Sequence, residues 1–239
     1  MKKKRFDIIT LFPNMIDGYC SESILGRAQK NKHIEIKAHQ LRDFAAGKHK
    51  QVDDTPYGGG PGMVMKVEPI DKAVKKIAKG RKWLKGLKGR KGSESTRVIL
   101  TAASGKKFTQ ADSKRLATYD QLIFICGRYE GVDARVEEYI ADESLSIGDY
   151  VLTGGELPAM VMTDAIARHI PGVLGASESL NEESHAEEGV LEYPQYTKPE
   201  TYTIKKELKK KELTVPDVLL SGHHKKIEAW RKKNQKKTL

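Results

Sequence analysis

Short apolar runs alternate with amphipathic stretches along most of the chain. Phe6-Asp-Ile-Ile-Thr-Leu-Phe12 predicts a first strand, closed by Pro13. From Asn14 to Lys30, Ile16, Tyr19, Ile24, Leu25 and Ala28 recur at helical spacing with glycine interruptions, and His33 to Ala38 alternates as a short strand. Val67 to Lys79 is apolar at Ile70, Val74, Ile77 and Ala78 and predicts a helix. Arg97 to Ala102 predicts a buried strand followed by a turn over Ala103-Ser-Gly-Lys-Lys107. Thr109 to Ala117 then predicts a helix, Gln121 to Ile125 a strand, Val132 to Ile140 a helix and Leu145-Ser-Ile147 a last strand. Glu156 to Ile170 predicts a helix with Leu157, Met160, Val161 and Ala165 on one face, ended by Pro171-Gly172. Strands and helices alternating over short joins predict an α/β fold with a parallel sheet.

Glycine punctuates this pattern in two places that matter. Ser146 to Met160 reads Ser-Ile-Gly-Asp-Tyr-Val-Leu-Thr-Gly-Gly-Glu-Leu-Pro-Ala-Met, with Pro158 where a helix begins. Cys126-Gly-Arg-Tyr-Glu-Gly131 directly follows the apolar run Gln121 to Ile125. A buried strand ending in a glycine-flanked polar turn is where open α/β sheets bind ligands. Spacing alone favours an ordinary strand-to-helix loop. A third stretch, Val52-Asp-Asp-Thr-Pro-Tyr-Gly-Gly-Gly-Pro-Gly62, is entropically costly to order, which points to close backbone contact. Neither the Gly-x-x-x-x-Gly-Lys-Ser/Thr nor the Gly-x-Gly-x-x-Gly nucleotide pattern occurs.

Charge narrows the partner. The 239 residues are 38% hydrophobic and 31% charged, with a net charge of +11, which favours a polyanion and nucleic acid first. The excess sits between Lys72 and Arg97, where Glu94 is the one acid, and in the tail from Lys205. The Lys/Gly-rich segment Gly80 to Ser95 reads as a mobile loop, either a solvated linker or an RNA-contacting arm. No apolar run approaches the roughly 20 residues of a membrane span, and the basic start lacks the features of a signal peptide. Cys20 and Cys126 form no metal-ligand spacing and fit a reduced, cytoplasmic setting. His223 and His224 are adjacent, share no helix face and complete no ligand set.

Taken together, Cys126–Gly131 and Ser146–Met160 closely resemble the bacterial tRNA (guanine-N1)-methyltransferases of the knotted SPOUT class. The Asp53–Gly62 stretch matches a signature of that family near its active site and dimer contact. Gly189-Val-Leu-Glu-Tyr-Pro-Gln-Tyr-Thr-Lys-Pro199 and Val215 to His224 match its C-terminal motifs. The resemblance covers nearly the whole chain, which ends at Leu239 where the family continues with further helices. It implies a catalytic domain over 1–174 with a deep trefoil knot, which periodicity alone would not predict. A mobile linker over 175–188 and a small, shortened helical tRNA-binding domain over 189–239 would follow.

The resemblance also implies a chemistry: transfer of a methyl group from S-adenosylmethionine to N1 of guanosine 37 in tRNA. Its cofactor-binding positions fall on Leu100, Thr101, Ala102, Ala103, Gly127, Tyr129, Glu130, Ile147, Gly148, Asp149, Tyr150, Val151, Leu152, Gly154, Gly155 and Pro158. Ala103 stands where the family usually has proline. N1 of guanine holds a proton at neutral pH, so the reaction wants a carboxylate to remove it and a cation to stabilise O6. Arg168 matches the family's arginine, with a surface ion pair to Asp164 as its plain alternative. Glu183, in Glu183-Ser-His185, falls where the family usually has aspartate, and Glu182 is a substitute. The family is homodimeric with active sites at the subunit interface, and magnesium is a family expectation without a visible ligand cluster. The competing readings are an RNA-binding protein without catalysis and a different nucleotide enzyme using the Gly58–Gly62 loop.

Overall fold

Parallel strands covered on both faces must be apolar on both faces, and Gln121-Leu-Ile-Phe-Ile-Cys126, buried at every position, is the central instance. In the computed structural model, which describes residues 3–78, 95–175, 183–186, 189–206 and 209–237, this run is β6 of a five-stranded sheet. The first of two units, Met1–Gly175, runs β1 (Lys4–Thr10), α1 (Pro13–Cys20), α2 (Ser23–Lys30), β2 (Ile34–Gln40), β3 (Asp53–Asp54), β4 (Val64–Met65) and α3 (Val67–Ile77). It continues with β5 (Thr96–Lys107), α4 (Gln110–Leu116), β6 (Gln121–Cys126), α5 (Ala134–Tyr139), β7 (Glu143–Ser146) and α6 (Glu156–Ala167). The sheet order is β2-β1-β6-β5-β7, with every pairing parallel.

Alternation along the strands builds two cores. Phe6, Ile8, Ile99, Leu122 and Phe124 meet Ile16, Leu25, Leu116, Met162 and Ile166 on one face. Ile9, Val98, Leu100, Ile123 and Ile125 meet Ile70, Val74 and Val136 on the other. Each of these side chains, once fully buried, stabilises the fold by about 1.5–3 kcal/mol relative to exposure. Thr109 closes the start of α4 with a capping box, its hydroxyl accepting from the Asp112 amide.

Three local expectations change. The helix expected from Asn14 to Lys30 is two helices, because the chain turns at Ser21-Glu22. Gly26 is the reason α2 can pack so close: a Cβ there would lie 2.7 Å from the Ser21 carbonyl carbon. The turn expected over Ala103 to Lys107 is instead strand, since β5 resumes pairing with β7 at Lys106↔Leu145 after a register shift beyond Thr101. Gly105 makes that approach possible, as its Cβ would come within 2.7 Å of the Leu145 amide. On α6, Ala159, Met162, Thr163 and Ile166 face inward, whereas Leu157 and Val161 are 50% and 48% exposed. A helix apolar around most of its circumference offers two stripes, and packing chooses between them.

The second unit, Ala176–Leu239, contains the expected helices, α7 (Asp217–Leu220) and α8 (His224–Asn234). It adds strands the sequence reading did not assign: an antiparallel pair of β9 (Thr201–Lys206) with β10 (Lys209–Thr214), and β8 (Val190–Leu191) with β11 (Lys236–Lys237). Trp230 anchors it, its ring 6.5 Å from Tyr193 and 6.3 Å from Tyr196. The run 80–94 and most of the acidic stretch 177–188, Glu182 included, lie outside the described residues.

A buried carboxylate marks the middle of the sheet. Asp7 on β1 accepts from His39 Nε2 at 2.8 Å, Gln121 Nε2 at 2.6 Å and Arg5 Nη2 at 3.1 Å. Burial pushes its pKa up, but the His39 and Gln121 bonds and the Arg5 charge outweigh that and hold it below the usual carboxylate value. A depressed acid stabilises the fold above its unfolded pKa, about 4, and loses that contribution as pH falls through the folded value. Asp7→Asn is expected to lower stability by about 2 kcal/mol at pH 7, in the range for hydrogen bonds to a charged group. Its difference from the parent protein should shrink as pH drops from about 4 toward 2. Urea unfolding at both ends of that range checks this, and equal stability of the two proteins at pH 7 refutes it.

Candidate active site

The carboxyl ends of β5, β6 and β7 lie side by side, and the loops leaving them enclose a cavity of about 430 Å³. That volume is within the roughly 300–1,000 Å³ range of small-molecule sites. One wall is the β5 segment Leu100, Thr101, Ala102, Ala103 and Ser104; the floor is Gly127 to Val132. The opposite wall runs from Leu145 to Ile147 and from Tyr150 to Gly155, with Pro158 on α6 behind it.

Two backbone loops touch at the centre. The Gly155 amide donates to the Gly127 carbonyl at 2.9 Å, and Ala159 then donates to the Gly155 carbonyl at 3.0 Å, starting α6. A Cβ on Gly155 would overlap Thr101 Oγ1 and lie 2.8 Å from the Gly127 nitrogen and 2.9 Å from the Cys126 Cα. The Thr101 hydroxyl is itself bonded to the Ile125 carbonyl at 3.1 Å. Glycine at position 155 therefore answers a contact between two backbone segments of the same chain, and its freedom from a side chain serves the fold before it serves any ligand.

The Gly127 loop is held from below. Glu130 donates to Met63, Met65 to Gly131 and Asp133 to Met65, all backbone bonds of 2.9–3.0 Å. Tyr129 sits in the left-handed region at φ 61°, uncommon for a residue with a side chain. A Cβ on Gly62 would meet the Glu130 carboxylate group, which ties the glycine-rich segment to the cavity floor. Among the described residues of one chain, Gly58, Gly59 and Gly60 have open space at their Cβ positions, with nothing within 4 Å. Their positive φ values are what demand glycine.

Of the positions named from the sequence, Leu100, Thr101, Ala102, Ala103, Gly127, Tyr129, Glu130, Ile147, Tyr150, Val151, Leu152, Gly154, Gly155 and Pro158 line the cavity. Gly148 and Asp149 are not among its lining residues. Gly148 accepts from Ser146 Oγ at 2.9 Å, and Asp149 pairs with Lys107 at 2.6 Å. Arg168 caps the far end of α6, a twelve-residue helix, which sets it about 18 Å along the axis from Glu156. One copy of this unit does not bring Arg168 to the cavity. Asp164 accepts from Tyr19 Oη at 2.5 Å, and that bond is the main reason the Tyr19 pKa rises to about 12. Glu183 belongs to the second unit, where its carbonyl accepts from the Ala186 amide at 2.9 Å.

Sequence reasoning missed a polar network that runs from the cavity floor at Arg128 to the buried Glu156 and Thr10. Its one legible signal is an acid and an arginine inside glycine motifs, each of which also reads as a solvated loop residue. Among the described residues, no group of three His, Cys, Asp or Glu side chains is placed to hold a metal ion.

A family profile described as tRNA (Guanine-1)-methyltransferase TrmD matches residues 4–239. The chain is 48% identical over 227 residues to the tRNA (guanine-N(1)-)-methyltransferase of Ruminiclostridium cellulolyticum, covering 95% of this chain and 89% of that one. It is 49% identical over 229 residues to the protein of that name from Geotalea uraniireducens, with 96% and 84% covered. The counterpart from Staphylococcus carnosus is 48% identical over 227 residues, with 95% and 84% covered.

The two contacting glycines should differ sharply in tolerance. Gly155→Ala forces backbone against backbone and is expected to cost about 1–3 kcal/mol, as overpacking does. Clearing the Thr101 hydroxyl in Gly155→Ala/Thr101→Ala should not restore it, since the Gly127 nitrogen and Cys126 Cα remain in the way. Gly127→Ala meets only Val132 Cγ2 at 3.4 Å and the Thr101 carbonyl at 3.5 Å and should lose less than about 1 kcal/mol. Thermal unfolding of the three variants checks the order; equal losses at 155 and 127 refute it.

Proposed function

The chain belongs to the tRNA (guanine-1)-methyltransferase TrmD family, and we propose that the cavity at the carboxyl ends of β5, β6 and β7 is its S-adenosylmethionine site. The observation that carries this is that the glycine loops identified with the family's cofactor site form the walls of one cavity. Its size and its backbone-rich lining suit a ligand with many hydrogen-bonding edges. The activity is transfer of the methyl group of S-adenosylmethionine to N1 of guanosine, at position 37 of tRNA. Family membership favours this enzyme over an RNA-binding protein without catalysis.

S-adenosylmethionine supplies the methyl group when bound; the chain's own residues supply the proton handling. In this reading the Glu183 carboxylate takes the N1 proton as the methyl carbon bonds N1 and leaves sulfur, giving S-adenosylhomocysteine. The Arg168 guanidinium, always charged and forked, stabilises the negative charge that collects on O6. Swinging the guanine out of its stack gives access to N1. Among the described residues no group of three His, Cys, Asp or Glu side chains gathers to hold magnesium, and the proton transfer in this reading rests on Glu183 and Arg168.

Arg168 stands an α6 length from the cavity, so the reading requires a second copy. Phe12, Met15, Tyr19, Leu157 and Val161 are large apolar side chains left exposed on and before α1 and on α6, helices joined by the Tyr19–Asp164 bond. We assign this face to a homodimer in which Arg168 serves the partner's cavity. The second unit is the tRNA-binding domain in this reading, supported by exposed Lys225, Lys226, Lys232 and Lys233 on α8 and by Arg231 stacked 5.1 Å over Tyr193. A deep trefoil knot belongs to the same reading through family membership. A cytoplasmic setting belongs to it too; among the described residues no helix is long and apolar enough to cross a membrane.

Two measurements test this. Glu183→Gln should reduce kcat in tRNA methylation by about 10²–10⁴, with S-adenosylhomocysteine affinity nearly unchanged and partial rescue at higher pH. Glu183→Asp should keep far more activity. Full turnover in Glu183→Gln with collapse in Glu182→Gln would move the base by one residue. For assembly, Val161→Glu should leave the fold intact, convert a sedimenting dimer to a monomer and reduce kcat/KM by about 10² or more. A parent protein that is monomeric and fully active at assay concentration defeats the shared-site arrangement.

A further inference from the structure

Glu156 is the first residue of α6 and its side chain is 1% exposed, deep enough that an ionised carboxylate requires partners. It has two. Thr10 Oγ1, at the carboxyl end of β1, donates to Oε1 at 2.7 Å, and Arg128 Nε donates to Oε2 at 2.9 Å. Thr10 Oγ1 in turn accepts from the Phe12 amide at 2.9 Å. The same guanidinium donates from Nη1 to the Thr153 carbonyl at 3.1 Å and lies 4.5 Å over the Phe12 ring. A Cβ on Gly154 would strike Arg128 at Nε, Cζ and Cδ, so glycine at 154 is what lets the guanidinium lie across the loop.

We propose that Arg128 is a positioning residue for the methyl-donor cavity. Oriented by the buried Glu156, it holds the Thr153 carbonyl and so fixes the Tyr150–Gly155 wall against the Gly127 loop. The geometry calls for arginine in particular. One N–H must reach the carboxylate while another, at a fixed angle to it, reaches a backbone carbonyl, and a lysine ammonium on a flexible stem supplies the charge without the fork. A purely structural ion pair would need only the charge. The substrate-side consequence rests on the cavity being the S-adenosylmethionine site; the loop-fixing consequence does not.

The experiment compares Arg128→Lys, Arg128→Met and Gly154→Ala with the parent, using calorimetry with S-adenosylhomocysteine, steady-state methylation, and amide hydrogen exchange in the free protein. Arg128→Lys should keep its Tm within about 4 °C because Glu156 stays paired. Its S-adenosylhomocysteine Kd should nonetheless rise by about ten- to a hundredfold, with KM for the methyl donor rising more than kcat falls. Exchange of the amides from 150 to 155 should speed by about tenfold or more while the sheet core stays protected. Gly154→Ala displaces the guanidinium with every charge retained, and should speed the same amides. Rescue of affinity and of exchange by lysine would reduce Arg128 to an ion-pair partner and overturn the proposal. If the parent binds no S-adenosylhomocysteine, the reading of the cavity fails, and the exchange data decide alone: unchanged protection from 150 to 155 in all three variants overturns the positioning role, and faster exchange upholds it.

Discussion

The contact between Gly155 and Gly127 is the constraint on which the rest of the first unit depends. Two backbones bonded at 2.9 Å with no room for a Cβ bring the loop after β7 down onto the loop after β6. The first turn of α6 starts from that contact, because the Gly155 carbonyl accepts from Ala159 at 3.0 Å. The helix direction is therefore set by the same atoms that set the cavity wall. Glu156 is carried into the interior as a consequence, and its buried charge needs Thr10 and Arg128 in turn. Sheet end, cavity, buried acid and helix axis form one mechanical unit.

Much of the fold is legible because its cause is local or periodic. β6 declares itself by the apolar run Gln121 to Ile125, and α4 falls within the helix read over Thr109 to Ala117. What escapes is what a distant segment decides. Ser104-Gly105-Lys106-Lys107 has turn chemistry, yet it extends β5 because β7 offers a shifted edge to pair with. Gly26 has the look of a helix interruption and is in fact a close crossing over Ser21. Leu157 and Ala159 are equally apolar, and only the neighbours of α6 determine which is covered.

The site divides the same way. Glycine at 155 marks the cavity in the sequence because backbone proximity restricts the residue type so strongly, and glycine at 154 because the Arg128 side chain lies across it. Gly148 and Asp149 share the motif without lining the cavity, since the loop turns there on Ser146 Oγ and on the Lys107 ion pair. Arg128 and Glu156 sit beside those glycines, but their pairing spans 28 positions and leaves no periodic trace. A motif identifies where backbone comes close. It does not say which side chains brace it.

The geometry of α6 carries the argument one step further. A helix anchored at its first residue by the cavity wall must place its last turn a fixed distance away, about 1.5 Å per residue, and no rotamer of Arg168 spans that length back. The positions Leu157, Val161, Asp164 and Arg168 recur at helical spacing, so the arginine shares its face with the exposed apolar stripe. Covering that stripe with a second copy removes apolar surface from water, at about 25 cal/mol per Å². In the homodimer proposed above, the same covering would bring Arg168 to the partner's cavity. Rigid anchoring at one end of α6 and an uncovered face along it are the two observations on which that proposed shared site rests.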